Sequence, residues 1–388
     1  MESKFEILAK TFHGLEDVLA DEIKELGGED IKIGTRLVKY KGNFETLYKS
    51  NIYLRTAVRV LVPVAKANIA TQDDYYNFFR KIDWEKFMNL HQTFMIDAVI
   101  NSDIFKNTHF AALRAKDAIA DFFFAKYKRR PDVAKEDPNI VYNIYLNGKE
   151  LSLSLDSSGE PLFKRGYRVS NVEAPINEIL AAGIIKKSGW DGSQPLIDPM
   201  CGSGTFSIEA AMIAKNIPPG LIRRQYAFQN WRNYKKELYN ELMNNIPLTD
   251  GRFKIFTSDI NEENLSAAMT NAEKALVKAK LRFKVADFFE LEYKKKETPY
   301  IFLNPPYGER LKEEDIELFY KKIGDRVKNY FSSGKLYVIS SNKEALKSVG
   351  LKTSSKEKLF NGALECMLHG YEIFDGNYKD YKKENKSL

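Results

Sequence analysis

Hydrophobic and polar residues alternate with two different periods over the start of the chain. FEILAK (5–10) and IKIGTRLVKYKG (31–42) have the period of strands, and the segments after them have the three- and four-residue spacing of amphipathic helices. Gly27 follows the first helical pattern as a stop signal. The residues expected on the buried face of that helix are Leu15, Val18, Leu19, Ile23 and Leu26. Strand, helix, strand, strand, helix is the order of a small α+β, ferredoxin-like module.

A second run of strands and helices continues to a hairpin. RVLVPVAKANI and TFMIDAVI are predicted strands, and Thr71 is a predicted N-cap for the helix between them. In IVYNIYLNGKELSLSLD, the pair Asn147-Gly148 predicts a type I′ turn between two strands. The residues expected on the buried face of the long helix NTHFAALRAKDAIADFFFAKYKRR are Phe110, Leu113, Ile119 and Phe122 or Phe123.

The pattern changes after SSGEPLFKRGYRVSN (157–171). Apolar strand patterns such as PLID, FKIFTSD, RFKVAD, YIFL and KLYVIS now alternate with helical ones. This alternation predicts a parallel sheet with helices on both faces, which is an α/β fold.

Composition narrows the class of protein. The 388 residues are 44% hydrophobic and 29% charged, with a formal charge of +7, which permits but does not require a nucleic-acid partner. The two cysteines, Cys201 and Cys366, exclude a disulfide framework and favour a reducing compartment. Four scattered histidines lack zinc-like spacing, and no apolar run reaches membrane-spanning length. We therefore expect a cytoplasmic protein without a metal site.

A glycine loop follows the first strand of the parallel sheet, in DPMCGSGTF. Gly202 and Gly204 allow the backbone to approach a ligand closely, and Thr205 and Phe206 continue the same site. Asp198 would repel a pyrophosphate but could hold a cationic ligand. A tight strand–helix turn without a ligand is the alternative interpretation of this loop.

Acidic residues end the next two strands. Asp259, followed by Ile260, could accept both ribose hydroxyls of a nucleoside cofactor, or it could cap the next helix. Asp287 could accept an adenine amino group while Phe288 packs on the ring, or it could be an ordinary loop residue. Because the carboxyl ends of parallel strands share one edge of the sheet, we expect these residues around one cleft.

The fourth strand ends in NPPY, Asn304 to Tyr307. An amino group conjugated to a base ring is a poor nucleophile, so an enzyme that alkylates it must hold both N–H bonds. The side-chain oxygen of Asn304 and the carbonyl of Pro305 can each accept one N–H, and Pro306 adds no competing donor. Tyr307 could stack on a base that has been turned out of its helix. We therefore assign Asn304, Pro305, Pro306 and Tyr307 to catalysis.

Taken together, DPMCGSGTF, SDIN, ADFF and NPPYGER resemble the motifs of class I S-adenosylmethionine-dependent amino-methyltransferases. PLFKRGYR, APINEILAAGII, AKNIPPGLIRRQYAFQNW and KLFNGALEC narrow the resemblance to bacterial THUMP-domain RNA methyltransferases. The group that the chain resembles most methylates guanine N2 in 23S ribosomal RNA, and its members are also labelled N6-adenine-specific DNA methylases.

The resemblance implies roles for the clustered residues. Asp198, Gly202 and Gly204 would shape the methionine end of the S-adenosylmethionine site, Asp259 would hold the ribose, and Asp287 with Phe288 the adenine. Asn304 lies where this site meets the target amine.

It also implies a domain order. The expected fold is a Rossmann-like class I methyltransferase domain preceded by an α+β ferredoxin-like/THUMP RNA-binding region. The expected boundaries are a ferredoxin-like region at 1–43, a THUMP domain at 44–155, a linker at 156–164, the methyltransferase domain at 165–375 and a basic tail at 376–388.

Candidate RNA contacts lie in and near the linker. Lys164, Arg165 and Arg168 surround Tyr167, and basic residues with an interleaved aromatic suit phosphate contact plus stacking. A solvated linker is the alternative. From the resemblance alone, Lys358 and Asn361 would border the base pocket.

The leading hypothesis is thus methylation of an exocyclic amine in RNA, at guanine N2 of 23S ribosomal RNA. DNA adenine-N6 methylation is an alternative because NPPY suits any conjugated amine. Methylation of a protein glutamine is another, because such enzymes also use NPPY. A non-catalytic RNA-binding assembly factor is the third alternative.

Overall fold

The computed structural model describes residues 3–169, 175–249, 251–293, 297–306, 313–331 and 333–374. The chain folds into two compact units. The first unit contains the residues up to Thr11, Leu19–Leu162 and Arg223–Asn245, and the second contains Phe12–Val18, Phe163–Ile222 and the residues from Ile246 onward. No described helix combines the length and the apolar character needed to cross a membrane.

The first unit is built on a seven-stranded sheet in the order β2-β3-β1-β4-β7-β6-β5. The pairs are antiparallel except for β5 and β6, which run parallel on either side of a helical crossover. Its elements are β1 (Phe5–Lys10), α1 (Glu16–Glu25), β2 (Glu29–Gly34), β3 (Leu37–Gly42), α2 (Phe44–Tyr53), β4 (Arg59–Asn68), α3 (Gln72–Arg80), β5 (Phe94–Asn101), α4 (Thr108–Tyr127), β6 (Ile140–Asn147) and β7 (Glu150–Asp156), with α7 (Lys236–Asn244) joining them from later in the chain.

Local sequence signals set several element boundaries in this unit. Thr71 caps α3 through a reciprocal capping box with Asp74, as predicted. Gly148 lies in the β6–β7 turn with φ +56°, the left-handed region that Gly tolerates best.

The buried face of α4 differs from the prediction. Phe110 and Leu113 are 47% and 38% exposed, whereas Ala111, Ala115 and Ala118 are fully buried. Small side chains allow the close approach seen where the Tyr75 hydroxyl of α3 donates to the Ala111 carbonyl at 3.1 Å. Ile119 and Phe123 are fully buried, as predicted. Hydrophobic spacing alone ranks Phe above Ala, so the prediction included two exposed residues and missed the three alanines.

Residues 223–245 belong to the first unit, although the sequence analysis placed them inside the methyltransferase domain at 165–375. Aromatic packing explains the difference. Phe228 stacks on Tyr48 with ring centroids 4.4 Å apart and on Tyr226 at 5.1 Å, and all three rings are buried. This segment therefore completes the hydrophobic core of the first unit.

The second unit is built on another seven-stranded sheet, in the order β10-β9-β8-β11-β12-β14-β13. Strands β10, β9, β8, β11 and β12 are parallel, and β14 and β13 add an antiparallel edge. Its elements are α5 (Glu178–Lys187), β8 (Leu196–Asp198), α6 (Thr205–Ala214), β9 (Ile255–Asp259), α8 (Glu262–Lys274), β10 (Leu281–Val285), β11 (Tyr300–Leu303), α9 (Glu313–Tyr330), β12 (Ser333–Ser340), α10 (Lys343–Ser348), β13 (Thr353–Asn361) and β14 (Leu364–Phe374).

The strand order reverses between β8 and β11. In open α/β sheets the crevice for a ligand lies at such a reversal, outside the carboxyl ends of the strands. The predicted glycine loop, the two acids and NPP all follow strands of this sheet at that edge. The topology is the Rossmann-like class I methyltransferase arrangement that the sequence predicted.

The short segment Phe12–Val18 packs in the second unit. Leu15 is fully buried, and a Cβ added at Gly183 of α5 would lie only 2.6 Å from its side chain. Gly183 therefore has no room for a side chain because Leu15 occupies that space.

A buried ionic group lies behind α6. Arg165 and Glu209 are 2% and 0% exposed, and Arg165 Nε lies 3.5 Å from Glu209 Oε1. The buried Tyr167 hydroxyl donates to the same oxygen at 3.0 Å, and burial together with the Glu209 charge raises the pKa of Tyr167 well above its usual value. These contacts anchor the segment 165–168 to the helix that carries the glycine loop.

We expect Arg165→Met to destabilise the second unit by roughly 3–5 kcal/mol, because it leaves Glu209 buried without its counter-charge. Calorimetric melting of the full chain would measure the loss, and Glu209→Gln in the same background should recover part of it. The matched control is Lys164→Met. Because Lys164 is exposed, this change should alter the free energy of unfolding by no more than about 0.5 kcal/mol. Equal melting temperatures for the two single variants would contradict this role for Arg165.

Candidate active site

A cavity of about 400 Å³ lies in the second unit at the carboxyl edge of the parallel sheet. The predicted residues that line it are Gly202, Thr205, Phe206, Asp259, Ile260, Asp287, Phe288, Asn304, Pro305 and Pro306. The structure thus brings the glycine loop, both acids and the NPP segment to one cleft. Tyr307, the remaining predicted catalytic residue, lies outside the described residues.

The glycine loop is shaped by close packing on α8. Gly204 has φ +80°, and an added Cβ would lie 2.9 Å from the Cβ of Ala268. Gly202 has φ +51°, and its backbone N–H donates to Asp259 Oδ2 at 2.9 Å. The loop is therefore a tight turn as well as a cavity wall, and the two interpretations of the sequence are compatible.

Asp259 is 7% exposed and connects three parts of the cavity wall. Its Oδ1 accepts from the Asn261 N–H at 2.9 Å and from the Asn264 side-chain amide at 3.2 Å. Asn261, and not Asp259, caps α8, because its side chain accepts from the backbone N–H groups of Glu263 and Asn264. Among the described residues Gly202 is the one donor to Oδ2, so this oxygen keeps a lone pair for a ligand hydroxyl.

The next strand end supplies a carboxylate and apolar surface. Asp287 Oδ1 accepts from the Phe289 N–H at 2.9 Å, which fixes the turn after β10. Phe288 is buried, whereas Ile260 is 69% exposed beside the cavity. Exposed aliphatic surface beside a carboxylate suits the face and the amino edge of an aromatic base.

Asn304 to Pro306 follow β11, whose four residues are all buried. The short, buried strand fixes the point at which the chain enters the cavity wall. Asn304 is partly exposed there, and Pro305, although buried, also lines the cavity.

Asp198 lies beneath the glycine loop and not in the lining. It is 2% exposed, and its Oδ2 accepts from the Ser207 N–H at 3.1 Å and from the Ser207 hydroxyl at 2.9 Å. Burial, with a smaller contribution from the Asp259 charge, raises the pKa of Asp198 to about 7. Two neighbouring carboxylates thus leave this end of the cavity favourable for a cation.

Two of the predicted RNA contacts are not on the surface. Arg165 and Tyr167 are buried against Glu209, so neither side chain can meet a phosphate or stack on a base in this structure. The basic and aromatic composition predicted an RNA-binding surface, whereas both side chains contact the buried carboxylate of Glu209 on α6.

Arg168 is also turned inward, and it joins the two sides of the cavity wall. Its guanidinium donates to the Glu178 carboxylate at 2.7 Å, to the hydroxyls of Ser203 and Thr205 at 2.9 and 3.0 Å, and to the Ile176 carbonyl at 3.2 Å. Ile176, Ser203 and Thr205 all line the cavity. Arg168 is therefore a positioning residue of this site in the structure, and not an exposed RNA contact.

The other predicted RNA residues differ in exposure. Lys164 is exposed, and Lys358 is half exposed with its amine 2.5 Å from Glu365. Asn361 Oδ1 accepts from the Asn177 N–H at 3.0 Å, next to Pro175 and Ile176 of the cavity wall. Asn361 therefore holds the backbone beside the cavity wall without lining the cavity, and its place at a base pocket stays a prediction.

The sequence analysis missed the residues that hold the site from behind. Ser207 and Glu209 are polar positions in the otherwise apolar helix FSIEAAMIA, which is the signal that could have found them. Asn264 gave no such signal, because an Asn near a helix start also suits capping. Among the described residues no group of three or more His, Cys, Asp or Glu side chains is placed to hold a metal ion.

The raised pKa of Asp198 predicts a pH-dependent stability. Between the ordinary pKa of 3.8 and about 7, the folded chain holds a proton that the unfolded chain has lost, so stability falls as pH rises. Asp198→Asn cannot ionise, so its melting temperature should rise relative to wild type between pH 5 and pH 8, without cofactor. Asp191→Asn is the control. Hydrogen bonds from Ser193 lower the pKa of Asp191, so this carboxyl is ionised in both the folded and the unfolded chain over this range. Parallel curves for Asp198→Asn and wild type would contradict the assignment.

Solved structures of similar sequence share the whole fold. A crystal structure of a possible methylase from Clostridium difficile 630 is 31% identical, with a TM-score of 0.87, and the match covers 97% of this chain and 100% of that one. SMU.472, provisionally named a methyltransferase and crystallised with S-adenosylhomocysteine, is 29% identical with a TM-score of 0.85, over 97% of this chain and 100% of that one.

Two curated relatives match almost the full chain. A Synechocystis protein provisionally named an RNA methyltransferase is 35% identical over 94% of this chain and 96% of the relative. The ribosomal RNA large subunit methyltransferase K/L of Psychromonas ingrahamii is 37% identical over 94% of this chain, which spans 49% of that longer protein.

Family profiles match three consecutive regions. The RlmL ferredoxin-like domain matches residues 6–61, the THUMP domain matches 70–156, and the RMKL-like methyltransferase domain matches 165–369. The acids, the glycine loop and the apolar surface of the cavity suit a nucleoside that carries a cationic sulfonium. The chain belongs to the RMKL-like methyltransferase family, and its methyl donor is S-adenosylmethionine.

Proposed function

We propose that this protein methylates an exocyclic amino group in RNA, at guanine N2 of 23S ribosomal RNA. The observation that carries the proposal is the position of Asn304, Pro305 and Pro306 in the wall of the same cavity as Asp259 and Asp287. An amide oxygen and a proline carbonyl at that place accept the two N–H bonds of one conjugated amine.

The chain's own groups orient and activate the amine. When Asn304 Oδ1 and the Pro305 carbonyl each accept one N–H, the nitrogen lone pair is directed into the cavity and the nitrogen can become pyramidal. S-adenosylmethionine supplies an electrophilic methyl group. No general base is needed before transfer, because the amine proton becomes acidic once the nitrogen is alkylated. The proton is then lost to water, since amide and peptide oxygens accept its hydrogen bond but are too weakly basic to keep it.

Within the cavity we assign Asp259 to the ribose hydroxyls and Asp287, Phe288 and Ile260 to the adenine. Gly202, Gly204, Thr205 and Phe206 form the loop at the methionine end, above Asp198. The free lone pair on Asp259 Oδ2 and the exposure of Ile260 support these assignments.

RNA is the proposed substrate because the first unit contains a match to the THUMP domain, an RNA-binding module in the family that the sequence resembles. The name of one relative supports large-subunit ribosomal RNA as the substrate, and guanine N2 of 23S ribosomal RNA rests on the resemblance of the motifs. The domain order of the sequence analysis remains part of this proposal, with residues 223–245 in the first unit.

The proposal predicts transfer of tritiated methyl from S-adenosylmethionine to RNA from a strain that lacks this gene, with the label in N2-methylguanosine after digestion. Genomic DNA, a protein extract and large-subunit assembly particles from the same strain are assayed in parallel. Asn304→Ala should lose transfer while its S-adenosylmethionine affinity stays within several-fold of wild type.

Each alternative has its own outcome in this assay. Label in N6-methyladenine of DNA would exclude RNA as the substrate, and label in glutamine would indicate a protein substrate. Bound cofactor without label in any sample, particles included, would favour a non-catalytic assembly factor. An Asn304→Ala variant that loses cofactor affinity along with transfer would show that Asn304 serves the cofactor and not the amine.

Asp259→Ala should weaken S-adenosylmethionine binding by at least about tenfold, since it removes charge-assisted hydrogen bonds and releases the Gly202 N–H. Isothermal titration calorimetry measures this directly. Glu262→Ala is the matched control, because Glu262 is an exposed acid in the first turn of α8. Unchanged affinity in Asp259→Ala would remove the ribose assignment.

A further inference from the structure

A second cavity, of about 370 Å³, lies within the first unit. Its lining is aromatic and aliphatic with a few polar residues at the edge, and comes from β1, α2, β4, β7 and two loops. The residues are Phe5, Phe44, Val62, Pro63, Val64, Lys86, Phe87, Leu155, Trp231, Arg232 and Asn233. We call it the aromatic cavity.

The loop that supplies Trp231 to the aromatic cavity is rigidly held. Gln92 donates to the Asn230 carbonyl at 2.9 Å, and the Asn230 side chain donates to the Asn139 carbonyl at 3.2 Å. Phe228, three residues before Trp231, stacks on Tyr48 in the core. The backbone that carries Trp231 is therefore held in place before any ligand arrives.

Trp231 carries an unused hydrogen-bond donor. It is 8% exposed, and its indole Nε1 has no acceptor among the described residues. A buried donor without an acceptor is unfavourable. Nε1 is itself closed off from the cavity, so an acceptor on a ligand reaches it only when the indole turns about its side-chain bonds.

Cations surround the aromatic cavity. Lys86 and Arg232 are exposed, and the Lys235 amine lies 4.9 Å from the centroid of the Phe44 ring. The nearby acids have partners of their own. Glu85 is bound by Lys126 and Tyr127, and Glu45 by Lys49, whereas the partner of Asp83, at 3.8 Å, is the rim cation Lys86 itself. Arg232 donates to the backbone carbonyl of Glu85, and cations still outnumber acids at the rim. The rim is therefore suited to an anion.

We propose that the aromatic cavity holds one unpaired nucleobase of the RNA substrate, with Lys86, Arg232 and Lys235 on its flanking phosphates. The base stacks on the aromatic wall, and the Trp231 indole turns so that Nε1 donates to one of the carbonyl oxygens or ring nitrogens of the base. Aromatic walls with a basic rim bind single-stranded nucleic acid in this way, and every base offers such an acceptor. The choice of RNA rests on the proposed function.

The test measures binding of fluorescently labelled single-stranded RNA octamers (oligo-A, oligo-C and oligo-U) to the full-length protein by anisotropy, at several salt concentrations. Trp231→Phe keeps the ring and removes the N–H, and Phe87→Leu removes a half-buried ring. We expect each to weaken binding of at least one octamer by about fivefold or more. Arg232→Ala should lower the slope of log affinity against log salt by about one.

Matched controls separate the cavity from general effects. Phe110→Leu makes the same change at a ring that is 47% exposed on α4, and Lys149→Ala removes an exposed charge from the β6–β7 turn. The first should leave octamer affinity within twofold of wild type, and the second should change the salt slope less than Arg232→Ala does.

Affinities within twofold of wild type for Trp231→Phe and Phe87→Leu would overturn the inference, as would equal binding of an RNA duplex. The methyl-transfer assay on the same variants keeps the two proposals apart. If Trp231→Phe transfers methyl groups to RNA with an unchanged KM, the RNA-binding role of the aromatic cavity is wrong but the proposed function stands. If Trp231→Phe loses octamer binding while the wild-type protein methylates only DNA or protein, the proposed function alone is wrong.

Discussion

The carboxylate of Asp259 accepts hydrogen bonds from the glycine loop after β8, from the turn after β9 and from the first turn of α8. It is buried, so these bonds act in a medium of low dielectric and are strong. They also keep a second buried acid, Asp198, close to a like charge. The cavity wall is therefore built around an electrostatic cost that a positively charged ligand would relieve.

The rest of the wall is held by contacts that do not themselves face the cavity. Arg168 bonds Ser203 and Thr205 on one side and Ile176 on the other, and Asn361 holds the same 175–177 segment from β13. Such supporting residues keep loop backbones within the small tolerance that binding requires. Arg168, which the sequence analysis assigned to an RNA surface, is one of these supporting residues.

The sheet and the cleft could be predicted because their signals are local. Strand patterns, the Asn147-Gly148 turn and polar residues at strand ends depend on neighbours in sequence, and a parallel sheet then brings those ends together. The alanine face of α4, the burial of Arg165 beside Glu209 and the placement of Phe228 on Tyr48 depend on partners far away in sequence. No period or composition encodes such partners, so these features needed the structure.

The position of residues 223–245 has a consequence for synthesis. A ribosome makes the chain from its N-terminus, and domains usually fold as they emerge. The first unit cannot follow that order completely, because Tyr48 lacks its stacking partner, and the aromatic cavity its tryptophan, until a segment encoded after the glycine loop has been translated. A gene fragment that stops at residue 162 would therefore yield an incomplete, aggregation-prone core, and any transplant of the first unit to another enzyme must carry the later segment with it.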